Sequence, residues 1–297
     1  MVVEPTIFIK GTINRLFSRG FLAKKLELIG FSISEGYQFS NQIYTDLLRL
    51  EKKKLSKSYF DKFVYNHLKK KYNENIAEKY ILIENWYDTG IPLWILITGA
   101  KGVGKSTLSR QIASDLGIQH IIETDVVRDV LRKVLSAEVT PELHASSYNA
   151  YKKLRPIYSS RLDEVIIGFE NHAKFVNMGV DAVLSRAEIE SVSIVVEGEH
   201  LLPAFFDEII RKKTNVIFIT LALSDSAQHL ENLNSQYTQE KEDLIKHFEE
   251  IRKVHDHIVN ETKIRKLPIV ELESSQKPLQ QFRKLIVDKI VSIVSTK

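Results

Sequence analysis

The segment Gly99-Ala100-Lys101-Gly102-Val103-Gly104-Lys105-Ser106 constrains this chain more than any other, because a loop of this pattern needs a strand before it and a helix after it. The preceding run Leu93–Ile97 is apolar, and the residues after Lys105 have helical spacing. Glycines let backbone N–H groups turn inward around an anion, and the helix N-terminus adds its partial positive charge. Gly99, Gly102, Val103, Gly104, Lys105, Ser106 and Thr107 are therefore the expected cradle for the phosphates of a nucleoside triphosphate, with ATP as the expected nucleotide. Lys105 would reach the β- and γ-phosphates, and the Ser106 hydroxyl would ligate Mg²⁺.

The rest of the chain supplies what such a loop requires. Leu93–Ile97, His120–Glu123, Ser193–Glu197, Val216–Leu221 and Pro268–Leu272 are rich in Ile, Val or Leu, as strands buried on both faces are. Helical pattern fills the gaps, with one or two long helices expected over Arg155–Ile189 and a polar helical excursion over Ser224–Thr262. The expected fold class is α/β: a P-loop NTPase-type parallel sheet flanked by helices. Upstream, Leu16–Tyr80 reads as helix among many lysines, and a boundary falls near Asp88–Pro92. Residues 1–88 are thus expected as a small, mostly helical domain and 89–297 as the P-loop domain. The lysines from Lys52 to Lys71, Lys53 among them, read as a solvated helix face.

Composition excludes several function classes. The net charge of +4, from 42 basic and 38 acidic residues, comes without an aromatic-basic motif, so no nucleic-acid partner is expected. The absence of cysteine excludes disulfides, thiolate catalysis and cysteine-ligated metals, and fits a cytoplasmic location. Residues 1–30 are charged throughout and do not read as a signal peptide, and Ile91–Thr98 is too short to cross a bilayer, so no membrane partner is expected.

Two further segments carry chemistry. Glu123-Thr124-Asp125 ends the second strand of the sheet, where compact P-loop kinases present the acceptor. Asp125 is a candidate base or ligand of a Mg²⁺-bound water, and Arg128 a candidate clamp on an anionic acceptor. The plain alternative is a helix cap followed by a surface arginine. Ser193–Gly198 is a candidate Walker B segment, in which Glu197 would hold Mg²⁺ through water. No Asn-Lys-x-Asp segment follows, which argues against a guanine-nucleotide switch. His144, His200, Arg132, Arg155 and Arg161 are weaker candidates, considered only as a group of cations for a phosphorylated acid.

Six segments in order resemble one known family: Phe17–Ala23, the glycine loop, Thr124–Arg128, Leu143–Tyr148, Val196–Pro203 and Phe248–Arg252. They are similar to the archaeal 2-phosphoglycerate kinases, which join an N-terminal ATP-cone-like region to a P-loop kinase domain. The resemblance implies ATP-dependent phosphorylation of a hydroxyl on a small, already phosphorylated hydroxy acid, by a monomer or a homo-oligomer. Departures bear on the acceptor. Leu16, Glu199 and Ala204 replace the family's usual Pro, Val and Gly, and no arginine occurs from Ser224 to Glu250, where the family carries a basic lid. These changes, with the apolar run Leu201–Phe206, lean toward a divergent branch, the mevalonate 3-phosphate 5-kinases, ahead of 2-phosphoglycerate kinase forming 2,3-bisphosphoglycerate. A rival of another class is an ATP-sensing regulatory P-loop protein.

Overall fold

Polar caps start each helix of the N-terminal region. Among the residues described by the computed structural model (7–11, 14–52, 54–154, 163–235, 241–273 and 277–295), strands β1 (Phe8–Lys10) and β2 (Arg15–Leu16) lead into α1 (Arg19–Leu28), α2 (Ile33–Arg49), β3 (Lys54–Ser56), α3 (Lys57–Lys71) and α4 (Glu74–Thr89). Ser18, Ser32, Ser56 and Asn73 each accept a first-turn N–H, and Ser32 closes a capping box with Glu35. β1 pairs antiparallel with β2 and parallel with β3. Strands of two and three residues show no readable alternation, so the sequence pattern predicts only helix here. Leu26, Phe39, Ile43, Val64, Leu68 and Tyr80 form one core, none of them more than 0% exposed.

The chain continues through β4 (Trp94–Thr98), α5 (Lys105–Leu116), β5 (His120–Glu123), α6 (Thr124–Val134), α7 (Glu164–Glu190), β6 (Ile194–Glu197), α8 (Asp207–Lys212), β7 (Val216–Ala222), α9 (Ser226–Asn234), α10 (Lys241–Lys246), α11 (Phe248–Ile264), β8 (Ile269–Glu271) and α12 (Pro278–Ser295). The sheet is parallel throughout, in the order β5-β6-β4-β7-β8. Every expected strand forms, and β4, β6 and β7 are buried along their whole length, which is why they read as unbroken apolar runs. All strands of a parallel sheet point the same way, so the C-terminal ends of β4, β5 and β6 open onto one edge. The long helix expected over Arg155–Ile189 starts at Glu164; Arg155 and Arg161 lie outside the described residues, as do Lys53 and residues 236–240 of the expected polar excursion. Among the described residues, no helix is long and apolar enough to cross a membrane.

The residues group into two units, one of Met1–Ile91, Ser114–Gly117 and Phe282–Lys297, the other of Pro92–Ala113 and Ile118–Gln281. Two buried ionic clusters belong to the first. Lys25 pairs with Glu84, Lys57 Nζ lies 3.3 Å from Glu84 Oε2 and 2.7 Å from Asp61 Oδ2, and the Lys25 ammonium lies over the Phe21 and Tyr87 rings. In the other, Arg283 donates to Asp115 at 2.8 Å and to Glu27 at 3.0 Å.

Candidate active site

The glycine loop joins β4 to α5. Gly99, Gly102 and Gly104 have φ of 148°, 82° and 87°, conformations that L side chains rarely adopt. Its backbone is braced from α9, where His229 Nε2 donates to Lys101 O at 2.6 Å and Asn232 Nδ2 lies 3.4 Å from Gly102 O. Val103 packs inward, and Thr107 is exposed on the first turn of α5. Lys105 Nζ donates to Ala100 O at 2.9 Å. Burial pushes the Lys105 ammonium below its usual pKa, with the Glu199 and Glu197 carboxylates pulling the other way.

Glu197 ends β6, the neighbour of β4, and is 2% exposed. Burial raises its pKa, while Lys105 and a hydrogen bond from the Ser106 hydroxyl oppose the rise. Its Oε1 is buried without a hydrogen-bond partner among the described residues. A carboxylate oxygen left open beside a serine hydroxyl is a hard-oxygen donor set, and it fits Mg²⁺.

Asp125 and Arg128 share the first turns of α6. Glu123, not Asp125, holds the cap position of that helix, and Arg128 is 8% exposed, so neither matches the plain alternative of a cap and a surface arginine. Asp125 faces two cations, Lys101 Nζ at 3.0 Å from Oδ2 and Arg128 at 2.8 Å from Oδ1. Burial alone would raise its pKa, yet Lys101 and Arg128 outweigh it and hold the carboxyl well below the ordinary range. Arg128 also bonds Asp129, at 3.1 Å. Lys101 lies 3.9 Å from Glu199 Oε1, which in turn accepts from Ser147 Oγ at 2.5 Å.

Lys101, Ser147, Glu199 and His229 were not singled out by the sequence as site residues. Lys101 sits inside the motif, at a position the pattern leaves free, so the signal was present but unweighted. Ser147 is brought in from a 3₁₀ turn, Ser147–Lys153; it lies in the family-like segment Leu143–Tyr148, but nothing there singles out its hydroxyl. The weaker candidates divide. His144 and Arg132 bond backbone carbonyls of Leu135 and of Leu143 and Ala145, which are structural contacts, whereas His200 lies against Asp125 and Glu199. The apolar run Leu201–Phe206 divides between core and surface, with Phe205 42% exposed. Leu201 and Phe206 lie in the core that holds Trp94 and Phe218, and Leu202 in the one that holds Phe169.

A glycine loop between a buried strand and a helix, ending in Lys and Ser and flanked by a buried carboxylate on the adjacent parallel strand, defines a P-loop nucleotide-binding protein. No protein-family model matches the sequence. The chain is 36% identical to the 2-phosphoglycerate kinase of Methanothermobacter thermautotrophicus over 260 residues, 86% of this chain and 85% of that one. It is 30% identical to the 2-phosphoglycerate kinase of Pyrococcus furiosus over 97% of this chain and 94% of that one. Among solved structures, a shikimate kinase from Acinetobacter baumannii matches at 16% identity and a TM-score of 0.39, over 70% of this chain and 98% of that one. The chain belongs to the archaeal 2-phosphoglycerate kinase family, and it is an ATP-dependent phosphotransferase with an alcohol group as acceptor.

Proposed function

We propose that this chain transfers the γ-phosphoryl group of ATP to the free hydroxyl of 2-phosphoglycerate, giving 2,3-bisphosphoglycerate. The observation that carries the reading is the identity of 36% over 86% of the chain to a 2-phosphoglycerate kinase. The first choice from sequence, mevalonate 3-phosphate, leaned partly on an apolar wall, and the burial of Leu201, Leu202 and Phe206 in the cores weakens that support.

The site residues divide the work as follows. The loop from Gly99 to Thr107 binds the nucleotide phosphates through backbone N–H groups, and Lys105 neutralises charge that builds on the transferred phosphoryl group. Mg²⁺, held by Ser106 and through water by Glu197, would supply Lewis-acid neutralisation of the β- and γ-phosphate oxygens. Asp125, kept ionised by Lys101 and Arg128, accepts a hydrogen bond from the acceptor hydroxyl and orients it toward the γ-phosphoryl group. Arg128 holds an anionic group of the acceptor.

The test is a side-by-side assay of the purified protein with ATP and 2-phosphoglycerate, mevalonate 3-phosphate or no acid, scoring product by mass and comparing kcat/KM. A clear preference for 2-phosphoglycerate is expected. Preference for mevalonate 3-phosphate would overturn the acceptor, and slow ATP hydrolysis indifferent to added acid would favour the regulatory reading.

A further inference from the structure

His200 follows β6 and is 0% exposed, yet its Nε2 has no hydrogen-bond partner among the described residues. The ring is held in place from three directions. Nδ1 lies 2.7 Å from Thr124 Oγ1, the ring stacks on His172 at 5.0 Å and 10°, and the His200 carbonyl accepts from Asn177 Nδ2 at 2.6 Å. The Thr124 hydroxyl itself occupies the place that a Cβ on residue 198 would take, and Gly198 has φ 157°. A glycine is therefore needed for the hydroxyl to reach the ring.

In one tautomer the buried Thr124 hydroxyl lacks an acceptor among the described residues; in the other it donates to Nδ1 and the imidazole proton sits on Nε2. That leaves Nε2–H a buried donor with no acceptor, a costly arrangement that a folded protein retains where something else completes it. One atom each of His200, Asp125 and Glu199 lie within 4.8 Å of one another, a grouping that could also hold a cation. The geometry argues against a cation, because Lys101 already lies 3.0 Å from Asp125 and 3.9 Å from Glu199, and Arg128 lies 2.8 Å from Asp125. Burial first, and then Lys101, Arg128 and Lys105 against the pull of Asp125, hold His200 down to a pKa of about 3, so the ring is neutral near pH 7. A neutral buried donor with no acceptor, in a cluster that mixes the Lys101 and Arg128 cations with the Asp125 and Glu199 carboxylates, is a place for a ligand oxygen that accepts its hydrogen bond.

We propose that His200 contacts the substrate: its Nε2–H donates to an anionic oxygen of the acceptor, on the carboxylate or on the phosphate, and Thr124 and Gly198 are the positioning residues that aim it. The inference rests on the acceptor being a phosphorylated hydroxy acid, as proposed above.

The test compares wild type with His200→Gln, whose amide nitrogen falls near the place of Nε2, and His200→Asn, whose amide falls near Nδ1. His200→Asn should raise the KM for 2-phosphoglycerate about ten- to a hundredfold and leave that for ATP within about twofold, and His200→Gln should recover most of the loss. A readout apart from turnover is the rise in Tm on adding 2-phosphoglycerate without ATP, which His200→Asn should lose and His200→Gln keep. Glycerate and glycerol 2-phosphate, each added alone in the same thermal assay, separate the two sources: only the analogue that keeps the group bound by His200 should respond differently in wild type and His200→Asn. If His200→Asn does not fold, Thr124→Val takes its place with the same KM split expected. Equal acceptor KM in wild type and His200→Asn, or no advantage of Gln over Asn, would overturn the proposal. So would a d–d absorption band from cobalt(II) added alone that wild type gives and His200→Asn loses, which would make the cluster a metal site. Wild type inactive with every phosphorylated hydroxy acid would bring down the functional reading and this inference with it; active wild type with indifferent variants would bring down the inference alone.

Discussion

Lys25 and Lys101 both face carboxylates with little solvent around them, one in the N-terminal core and the other beside the glycine loop. Around Lys25 the contacts close: Glu84 is shared with Lys57, Lys57 reaches Asp61 and Asp88, and none of these side chains carries an unpartnered buried atom among the described residues. Around Lys101 they stay open. Among the described residues His200 Nε2 has no partner, nor has Glu197 Oε1 beside Lys105, and Asp125 Oδ1 faces Arg128 at 2.8 Å without hydrogen-bond geometry. Of the buried side-chain atoms left unpartnered among the described residues, only Ser40 Oγ belongs to the N-terminal region. A closed network of buried charge supports the fold, whereas an open one stores unmade hydrogen bonds that a ligand can complete. The two lysines therefore predict opposite kinds of damage when their surroundings are changed.

The sharpest separation should come from Lys105→Ala. Phosphoryl transfer should fall by about a thousandfold or more, with far-UV circular dichroism unchanged, because the ammonium acts on the transferring phosphate. Near-normal turnover would remove the reaction from this loop. Lys25→Met is the reverse case. It removes one of the cations that face the buried Glu84, so urea unfolding should show a loss of roughly 3 kcal/mol while kcat per folded molecule holds. A stable variant with poor kcat would break the comparison. Asp125→Asn should lower kcat at least about a hundredfold with little change in the KM for ATP. If it instead unfolds the protein as Lys25→Met does, the acceptor side is structural after all.

The smallest effect expected is on the pH profile. Burial raises the Glu197 pKa, so this group takes up its proton at a higher pH than an ordinary glutamate and loses the charge needed to hold a cation. Plotted against pH, kcat/KM should show an acid limb above the usual glutamate range. Asp125 moves the other way, since Lys101 and Arg128 outweigh the burial that would raise it. Its contribution to stability is present above the unfolded carboxyl pKa and is lost only as pH falls through the lowered folded value, below the window of the Glu197 limb. An acid limb that persists unchanged in Glu197→Gln would take Glu197 out of the cation site.

What the sequence made legible follows the same division. The loop Gly99–Ser106 and the strands beside it are contiguous, so a pattern along the chain is enough to find them. Asp125, Arg128 and Glu197 stand at strand ends or in the turn that follows, where position along the chain still carries meaning. Ser147, Glu199 and Lys101 meet only because a 3₁₀ turn, the end of β6 and the loop are folded together, and no spacing between them encodes that. The apolar run after Glu197 misled for the same reason: it looks alike whether it lines a site or fills a core. The N-terminal strands were missed because they are too short for alternation to register.

Arg283 has a practical consequence for anyone who wishes to shorten this polypeptide. Its guanidinium is shared by Glu27 and Asp115, and Asp115 closes the helix that Lys105 and Ser106 begin. Trimming the last helix would strip the cation from two enclosed carboxylates, and trimming the N-terminal region would leave the guanidinium one carboxylate short. A gene split or domain excision meant to yield a stand-alone catalytic half therefore meets an obstacle that no cut after residue 91 avoids: the beginning, the middle and the end of the chain converge on one side chain.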